Sequence, residues 1–197
     1  MNKFAELDAV LKQNSGYIKA AEVHKLGISR TYFARYVREK SLERVAHGLY
    51  MAQNAWDDEM YVIQSRYPAA IFSHETALYL NDLAEREPLQ YTVTVRSGSN
   101  TSNLTALGVK AYKIKPGLYE LGITTRESPA GHSLKAYNEE RTICDLLRSR
   151  RNIELDVILS AIKWYVRRKE KNISLLMRYA EKLSVSRIIL PYLQVLL

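Results

Sequence analysis

One cysteine, Cys144, stands in the 197 residues. A single thiol closes no intramolecular disulfide and anchors no cysteine-based zinc site, and it suits a reducing compartment. No stretch reaches about 18 uninterrupted apolar residues, so no membrane-spanning helix is expected. The opening residues, MNKFAELDAV, lack the apolar core of a secretory signal. These absences point to a soluble, cytoplasmic protein. Enzyme signatures are missing as well. There is no GxxxxGK phosphate loop and no HExxH zinc motif. Gly98-Ser99 is a pair also found in nucleotidyltransferases, but those need paired acids shortly after it, and no acid occurs from residue 97 until Glu120. The four histidines, His24, His47, His74 and His132, show no metal-ligand spacing. The reading is therefore of a non-enzyme without cofactor or metal. Low complexity is confined to one polar loop, Ser97 to Asn103.

What is present is ordinary for a globular chain: 47% hydrophobic and 25% charged residues. The length allows one large domain or two small ones. Twenty-nine basic residues against 21 acidic give a net charge of +8, which suits a polyanionic partner without requiring one.

Periodicity and punctuation give the element order. Phe4, Leu7, Val10 and Leu11 share a helical face over about 3–13, with Asn2 as N-cap. Asn14-Ser15-Gly16 breaks it. A short helix follows at about 19–26, with Val23 and Leu26 inward, then Gly27 at a left-handed C-cap position. Ser29 caps a third helix at about 30–40. Leu42–Ala46 and Leu49–Met51 read as a hairpin turning at His47-Gly48. Beyond Trp56 the chain changes character. Helices are expected at about 59–66, after Ser73 as cap, and from Glu139; strands at Gln90–Arg96, Lys110–Ile114 and Leu118–Ile123. Two amphipathic stripes close the chain: Leu155, Ile158, Leu159, Ile162 and Val166, then Leu175, Leu176, Tyr179 and Leu183. Pro191 is expected to kink or interrupt the last apolar run. The fold class is α+β: a winged helix-turn-helix over residues 1–56, then a larger mixed α+β domain over 57–197 ending in helices.

The chemistry concentrates in KAAEVHKLGISRTYFARYVR, residues 19–38. Two short helices that cross steeply need a glycine at the turn and apolar flanks, supplied here by Gly27, Leu26, Ile28 and Val23. With Phe33 and Val37 inward, a step of about 100° per residue puts Thr31, Arg35 and Arg38 on the outward face. Ser29 and Arg30 lie at the helix start, the end that enters the major groove in helix-turn-helix proteins. Arginine there can pair with guanine edges or phosphates. Lys19 is placed to touch phosphate at the start of the second helix, and Arg44 and His47 to act from the wing. Residues 1–56 hold nine basic and five acidic residues, half the net charge in under a third of the chain.

The remainder carries a basic segment between 163 and 187, eight basic residues against two acidic. Within it, Lys163, Arg167, Arg168 and Lys169 form either a helix end whose cations face the negative dipole or a surface extending a nucleic-acid contact. Ser73-His74-Glu75 has the residue types for acid/base work but reads as a helix's first turn. Glu140, Arg141 and Asp145 suggest a local charge network, and Cys144 a buried inert thiol. An alternative function, a nucleic-acid-processing enzyme targeted by the winged domain, would need clustered carboxylates for metal. A pure protein-interaction module is a third.

Three segments carry a family resemblance: YIKAAEVHKLGISRTYFARYVREKSLERVAHGLYM from Tyr17, IFSHETALYLNDL from Ile71 and EERTICDLL from Glu139. Together they resemble the AbiEi family of type IV antitoxins, to about residue 150. The resemblance implies an antitoxin that represses its own operon by binding inverted repeats in promoter DNA. It implies a C-terminal domain that counters a nucleotidyltransferase toxin without a stable complex, in systems of abortive phage resistance.

Overall fold

The computed structural model describes residues 2–196 and is α+β throughout. It forms two compact units, Met1–Pro68 with Glu127–Leu134, and Ala69–Arg126 with Lys135–Leu197. Residues 57–68 and 127–134 thus pack with the first unit, beyond the segment 1–56 read from the sequence.

The first unit contains α1 (Lys3–Gln13), β1 (Tyr17–Lys19), α2 (Ala20–Lys25), α3 (Arg30–Glu39), β2 (Glu43–Ala46), β3 (Leu49–Met51) and α4 (Glu59–Arg66). Its helix starts follow from short polar side chains. Asn2 accepts the Phe4 N–H at 3.1 Å, Ser29 the Tyr32 N–H at 3.3 Å, and Asp58 the Tyr61 N–H at 3.0 Å, satisfying backbone donors that a helix leaves open. Gly27 has a φ of +73° and a Cβ there would meet nothing within 4 Å. The turn therefore needs glycine for its backbone angle alone. Leu7, Val23, Ile28, Phe33, Tyr36 and Leu42 make one core.

Two expectations fail here. Leu26 is 44% exposed, because the six-residue α2 ends before it and Leu26 sits at the C-cap, already turning away. Tyr17–Lys19 is a strand, where a helix was expected to begin at 19. The turn at Asn14-Ser15-Gly16 returns the chain alongside the hairpin, and Tyr17, Ile18 and Lys19 pair antiparallel with Met51, Tyr50 and Leu49. The wing is accordingly a three-stranded sheet in the order β1-β3-β2, with a register shift between Arg44 and Ala46.

A buried polar network holds residues 127–134 in this unit. The Asp58 carboxylate accepts the Ser128 hydroxyl at 2.5 Å and lies 2.6 Å from His132 Nδ1. The His132 ring stacks on Tyr61 at 4.1 Å, and its Nε2 is 3.2 Å from the Asn14 carbonyl oxygen.

The rest of the chain supplies β4 (Ile71–Phe72), α5 (His74–Leu80), β5 (Thr92–Arg96), α6 (Ser102–Ala106), β6 (Lys110–Ile114), α7 (Pro116–Tyr119), β7 (Ile123–Glu127) and β8 (Ser133–Tyr137). Four helices follow: α8 (Glu139–Arg148), α9 (Leu155–Arg167), α10 (Ile173–Lys182) and α11 (Ser186–Leu196). The five-stranded sheet has the order β6-β5-β4-β8-β7. β4 runs antiparallel to β5 and parallel to β8, and β5 runs parallel to β6.

The strand expected over Leu118–Ile123 is displaced. Pro116 opens a one-turn helix, a position where its missing N–H costs nothing, and the strand starts only at Ile123. Pro191 lies inside α11, which runs on through it. Pro191 and Arg187 are both exposed, so the carbonyl left without its helical donor can bond to water. Ser73 stands at the N-cap of α5 but makes no capping bond. Instead the Thr92 hydroxyl reaches in from β5 and accepts the Thr76 N–H at 3.1 Å.

In α8 every residue from Glu140 to Leu147 is buried. The fully buried Arg141 pairs through Nε with Asp145 at 3.0 Å and donates through Nη1 to the Leu118 and Leu121 carbonyls, both at 2.7 Å. Its guanidinium lies 4.1 Å from the Tyr137 ring centroid. Tyr165 donates to Glu140 at 3.0 Å. The charged motif is thus a core element, on which Ile143, Leu146, Leu147, Ile158, Ile162 and Leu176 pack. Cys144 is buried, and burial pushes its thiol well above the ordinary range, as suits an inert sulfur.

Candidate nucleic-acid interface

The helix-turn-helix presents α3 along a groove. Phe33 and Tyr36 face the core, and the Tyr36 hydroxyl donates to Asp8 of α1 at 2.8 Å. With Tyr36 pinned inward, α3 exposes Arg30, Thr31, Ala34, Arg35 and Arg38. A groove of about 670 Å³ runs between α2, α3 and the β2–β3 hairpin. Arg30, Ala34 and Val37 line it from α3, His24 from α2, and Arg44 and His47 from the hairpin.

The predicted residues fall into different settings. Arg30 and Arg38 are exposed and make no ion pair among the described residues. Thr31 is exposed between them. Ser29 is exposed, and its hydroxyl oxygen caps the helix. Arg35 is turned along its own helix: its Nε lies 2.6 Å from the Glu39 carboxylate, which holds the guanidinium pKa above its usual value. It also leans toward α1, 5.9 Å from the Phe4 ring centroid. Lys40 is likewise paired, with Asp8 at 2.8 Å. Lys19 stands at the N-cap of α2 with its ammonium 4.6 Å from the Tyr61 ring centroid.

On the wing, Arg44 and His47 meet each other. Arg44 Nη2 is 3.1 Å from His47 Nδ1, and Arg44 Nε donates to the Ala46 carbonyl at 3.4 Å. The register of this hairpin shifts between Arg44 and Ala46, next to the turn. The structure thus assembles Arg30, Arg44 and His47 around one groove, with Thr31 and Arg38 on the adjoining α3 face. Arg35 is engaged with Glu39. Sequence periodicity did not single out Ala34, which lines the groove with a small side chain, although the signal was present in the i, i+4, i+7 series of Arg30, Ala34 and Val37. The Arg35–Glu39 pair had a signal too, an opposite charge four residues on.

In the second unit, Lys163, Arg167 and Lys169 are exposed. Arg168 has a packing role: it pairs with Glu139 at 2.6 Å and donates to the Asn81 carbonyl at 2.7 Å and the Asp82 carbonyl at 2.5 Å.

Comparison with known proteins agrees with this geometry. No curated protein matches the chain. Among solved structures, the RV2827C protein from Mycobacterium tuberculosis shares the fold, with a TM-score of 0.59 at 10% identity over 92% of this chain and 72% of that one. Over residues 5–53, the span that holds the helix-turn-helix and its wing, the chain matches the family of transcriptional regulators described as AbiEi antitoxins.

Proposed function

We propose that this protein is a transcriptional repressor that binds duplex DNA through its N-terminal unit and acts as the antitoxin of a type IV toxin–antitoxin system. The observation that carries the reading is the open cation Arg30 of α3, which lines one groove with the Arg44–His47 pair of the wing, together with the exposed Arg38 further along the same helix. An α-helix fits the major groove of B-DNA, and a hairpin next to it reaches backbone or the adjacent groove. In this reading α3 enters the groove N-terminus first, with Thr31 toward base edges, Arg30, Ser29 and Lys19 toward phosphate, and Arg38 along the backbone. DNA binding belongs to residues 1–56, within the first compact unit, and the antitoxin role to the second unit, within residues 57–197. The targets are inverted repeats in the protein's own promoter, so repression is autoregulatory and two copies sit on each operator. The C-terminal domain counters a nucleotidyltransferase toxin without a stable complex, in the cytoplasm, in abortive defence against phage. Lys163, Arg167 and Lys169 offer a secondary basic surface.

The test is a mobility-shift titration of the full chain on the duplex upstream of its own gene against a shuffled duplex of equal length, at physiological salt. Preference for the upstream duplex by a factor of about 10³ or more is expected of a specific binder. Equal affinity for the two would sink the repressor reading. Co-expression with a nucleotidyltransferase toxin, scored by growth, checks the antitoxin part: restored growth is expected, and continued arrest would refute it.

A further inference from the structure

The second unit contains a cavity of about 210 Å³ that the DNA-binding reading leaves unused. Its floor is polar and buried: Thr94, His74 and Asp145. Tyr112 forms a wall, stacked on the His74 ring at 3.6 Å. Its rim carries Lys113, Arg148, Ser149 and Asn152. His74 has a φ of +49°, a strained angle for a residue with a side chain, of the sort that collects at ligand sites.

Hydrogen bonds order this floor. The Thr94 hydroxyl donates to Ser73 Oγ at 2.9 Å. Ser73 Oγ lies 2.9 Å from His74 Nδ1, and His74 Nε2 lies 3.0 Å from Ser149 Oγ. A neutral imidazole accepts at one nitrogen and donates at the other. Ser73 receives the Thr94 proton, and the arrangement that leaves Ser149 free to donate has the Ser73 proton on Nδ1 and Nε2–H directed to Ser149. The Ser149 hydroxyl proton is then left without an acceptor among the described residues, on the cavity wall. Burial, with the charges of Arg141, Lys110 and Arg148, pushes the His74 pKa down to about 3. The ring is a poor proton acceptor at neutral pH, and the relay serves to orient a donor rather than to move protons.

The charges around the opening have one sign left over. Asp145, the acid of the lining, is paired with Arg141. Lys113 and Arg148 have no ion pair among the described residues, and both are exposed. Three carbonyls near the C-terminus of α8 are occupied: Asp145 O and Leu146 O accept the Ser149 N–H at 3.0 and 3.1 Å, and Leu147 O the Arg150 Nη1 at 3.1 Å. Drug-sized ligands take pockets of roughly 300–1,000 Å³, so this one suits something smaller that needs donors and positive charge.

We propose that this cavity is a binding site for a phosphate group, held by the Ser149 hydroxyl, Arg148 and Lys113. The group is either free phosphate or the phosphate of a mononucleotide whose remainder projects through the open mouth. The experiment is calorimetric titration of the full chain with inorganic phosphate and, separately, with adenosine 5′-monophosphate, at constant ionic strength set by chloride. One saturable site is expected. Arg148→Ala and Lys113→Ala, both on exposed side chains that spare the core, should each weaken it about tenfold, and Ser149→Ala should weaken it as well, with a lowered thermal melt because the buried His74 Nε2 loses its partner. Arg151→Ala, an exposed neighbour outside the cavity, should bind as the parent does. Equal affinity for the two probes identifies phosphate itself as the ligand, and tighter nucleotide binding identifies a nucleotide. Absence of saturable binding by either probe, or binding that survives Arg148→Ala together with Lys113→Ala, overturns the proposal.

Discussion

The sharpest consequence of the α3 geometry concerns which arginines feel the DNA. Helical spacing alone makes Thr31, Arg35 and Arg38 the outward stripe. The structure divides the arginines differently: Arg30 and Arg38 are open, whereas Arg35 is held 2.6 Å from Glu39. A cation already compensated by an acid displaces little counterion from DNA, because Glu39 must first be released. Each phosphate neutralised adds about 0.9 to the slope of log affinity against log salt. Arg30→Ala together with Arg38→Ala should therefore lower the slope by about 1.8. Between about 50 and 200 mM salt, the parent should lose roughly twelvefold more affinity than this variant. Arg35→Ala with Glu39→Ala removes a neutral pair and keeps good helix formers at both positions. Its slope should stay within about 0.5 of the parent's, on the same per-contact scale. The assay is fluorescence anisotropy on the upstream duplex across five salt concentrations. The reasoning is refuted if removing the Arg35–Glu39 pair flattens the slope as much as removing Arg30 and Arg38 does, or if the latter leaves it unchanged.

Other outcomes follow from the second unit. Arg141→Met should destabilise by about 3–5 kcal/mol, as it leaves a buried carboxylate on Asp145 and frees the Leu118 and Leu121 carbonyls; urea unfolding monitored by circular dichroism measures it, and a loss under about 1 kcal/mol would contradict the network. Gly122→Ala should cost more than Gly27→Ala. Both have positive φ, but a Cβ at Gly122 would stand 2.7 Å from Arg141 Cβ and 2.8 Å from Asn138 Oδ1, while one at Gly27 meets nothing; thermal melts of the two variants rank them. His74 is held neutral with its pKa pushed down to about 3, so the unfolded chain binds the extra proton between about pH 6.5 and that value. Stability supplied by neutral His74 is thus complete above about pH 6.5 and lost on acidification, at up to about 1.4 kcal/mol per pH unit. Asp145 and Glu139, raised chiefly by burial, act in the opposite sense, so the quantity to measure is the difference between the parent and His74→Gln. That difference should shrink as pH falls from 6.5, and a difference constant with pH would show that His74 titrates normally.

The helix-turn-helix was legible because its constraints are local. Asn2, Ser29 and Gly27 each meet a demand set within four residues of themselves, and a cap or a left-handed turn looks the same in any fold. Tyr17–Lys19 was not legible, because a three-residue strand has no periodicity of its own. Its pairing is decided by Leu49–Met51, some 30 residues on. The same distinction separates the two sites. The arginines of α3 could be placed by counting along a helix, although Arg35's partner could be overlooked while only the outward direction was counted. The cavity around His74 draws on β5, β6, α5 and the end of α8, with Thr94, Tyr112, His74 and Ser149 contributed from segments up to 75 residues apart. Read locally, Ser73 is an N-cap and His74 a first-turn residue. Only the arrival of Thr92 at the Thr76 N–H releases Ser73 from capping and frees it to orient His74. A serine at a helix start that does not cap is therefore informative in itself: the helix has been given its acceptor from elsewhere, and the hydroxyl is available for another partner. Here that partner is a histidine in a strained backbone angle, and the strain and the diverted cap point to the same cavity.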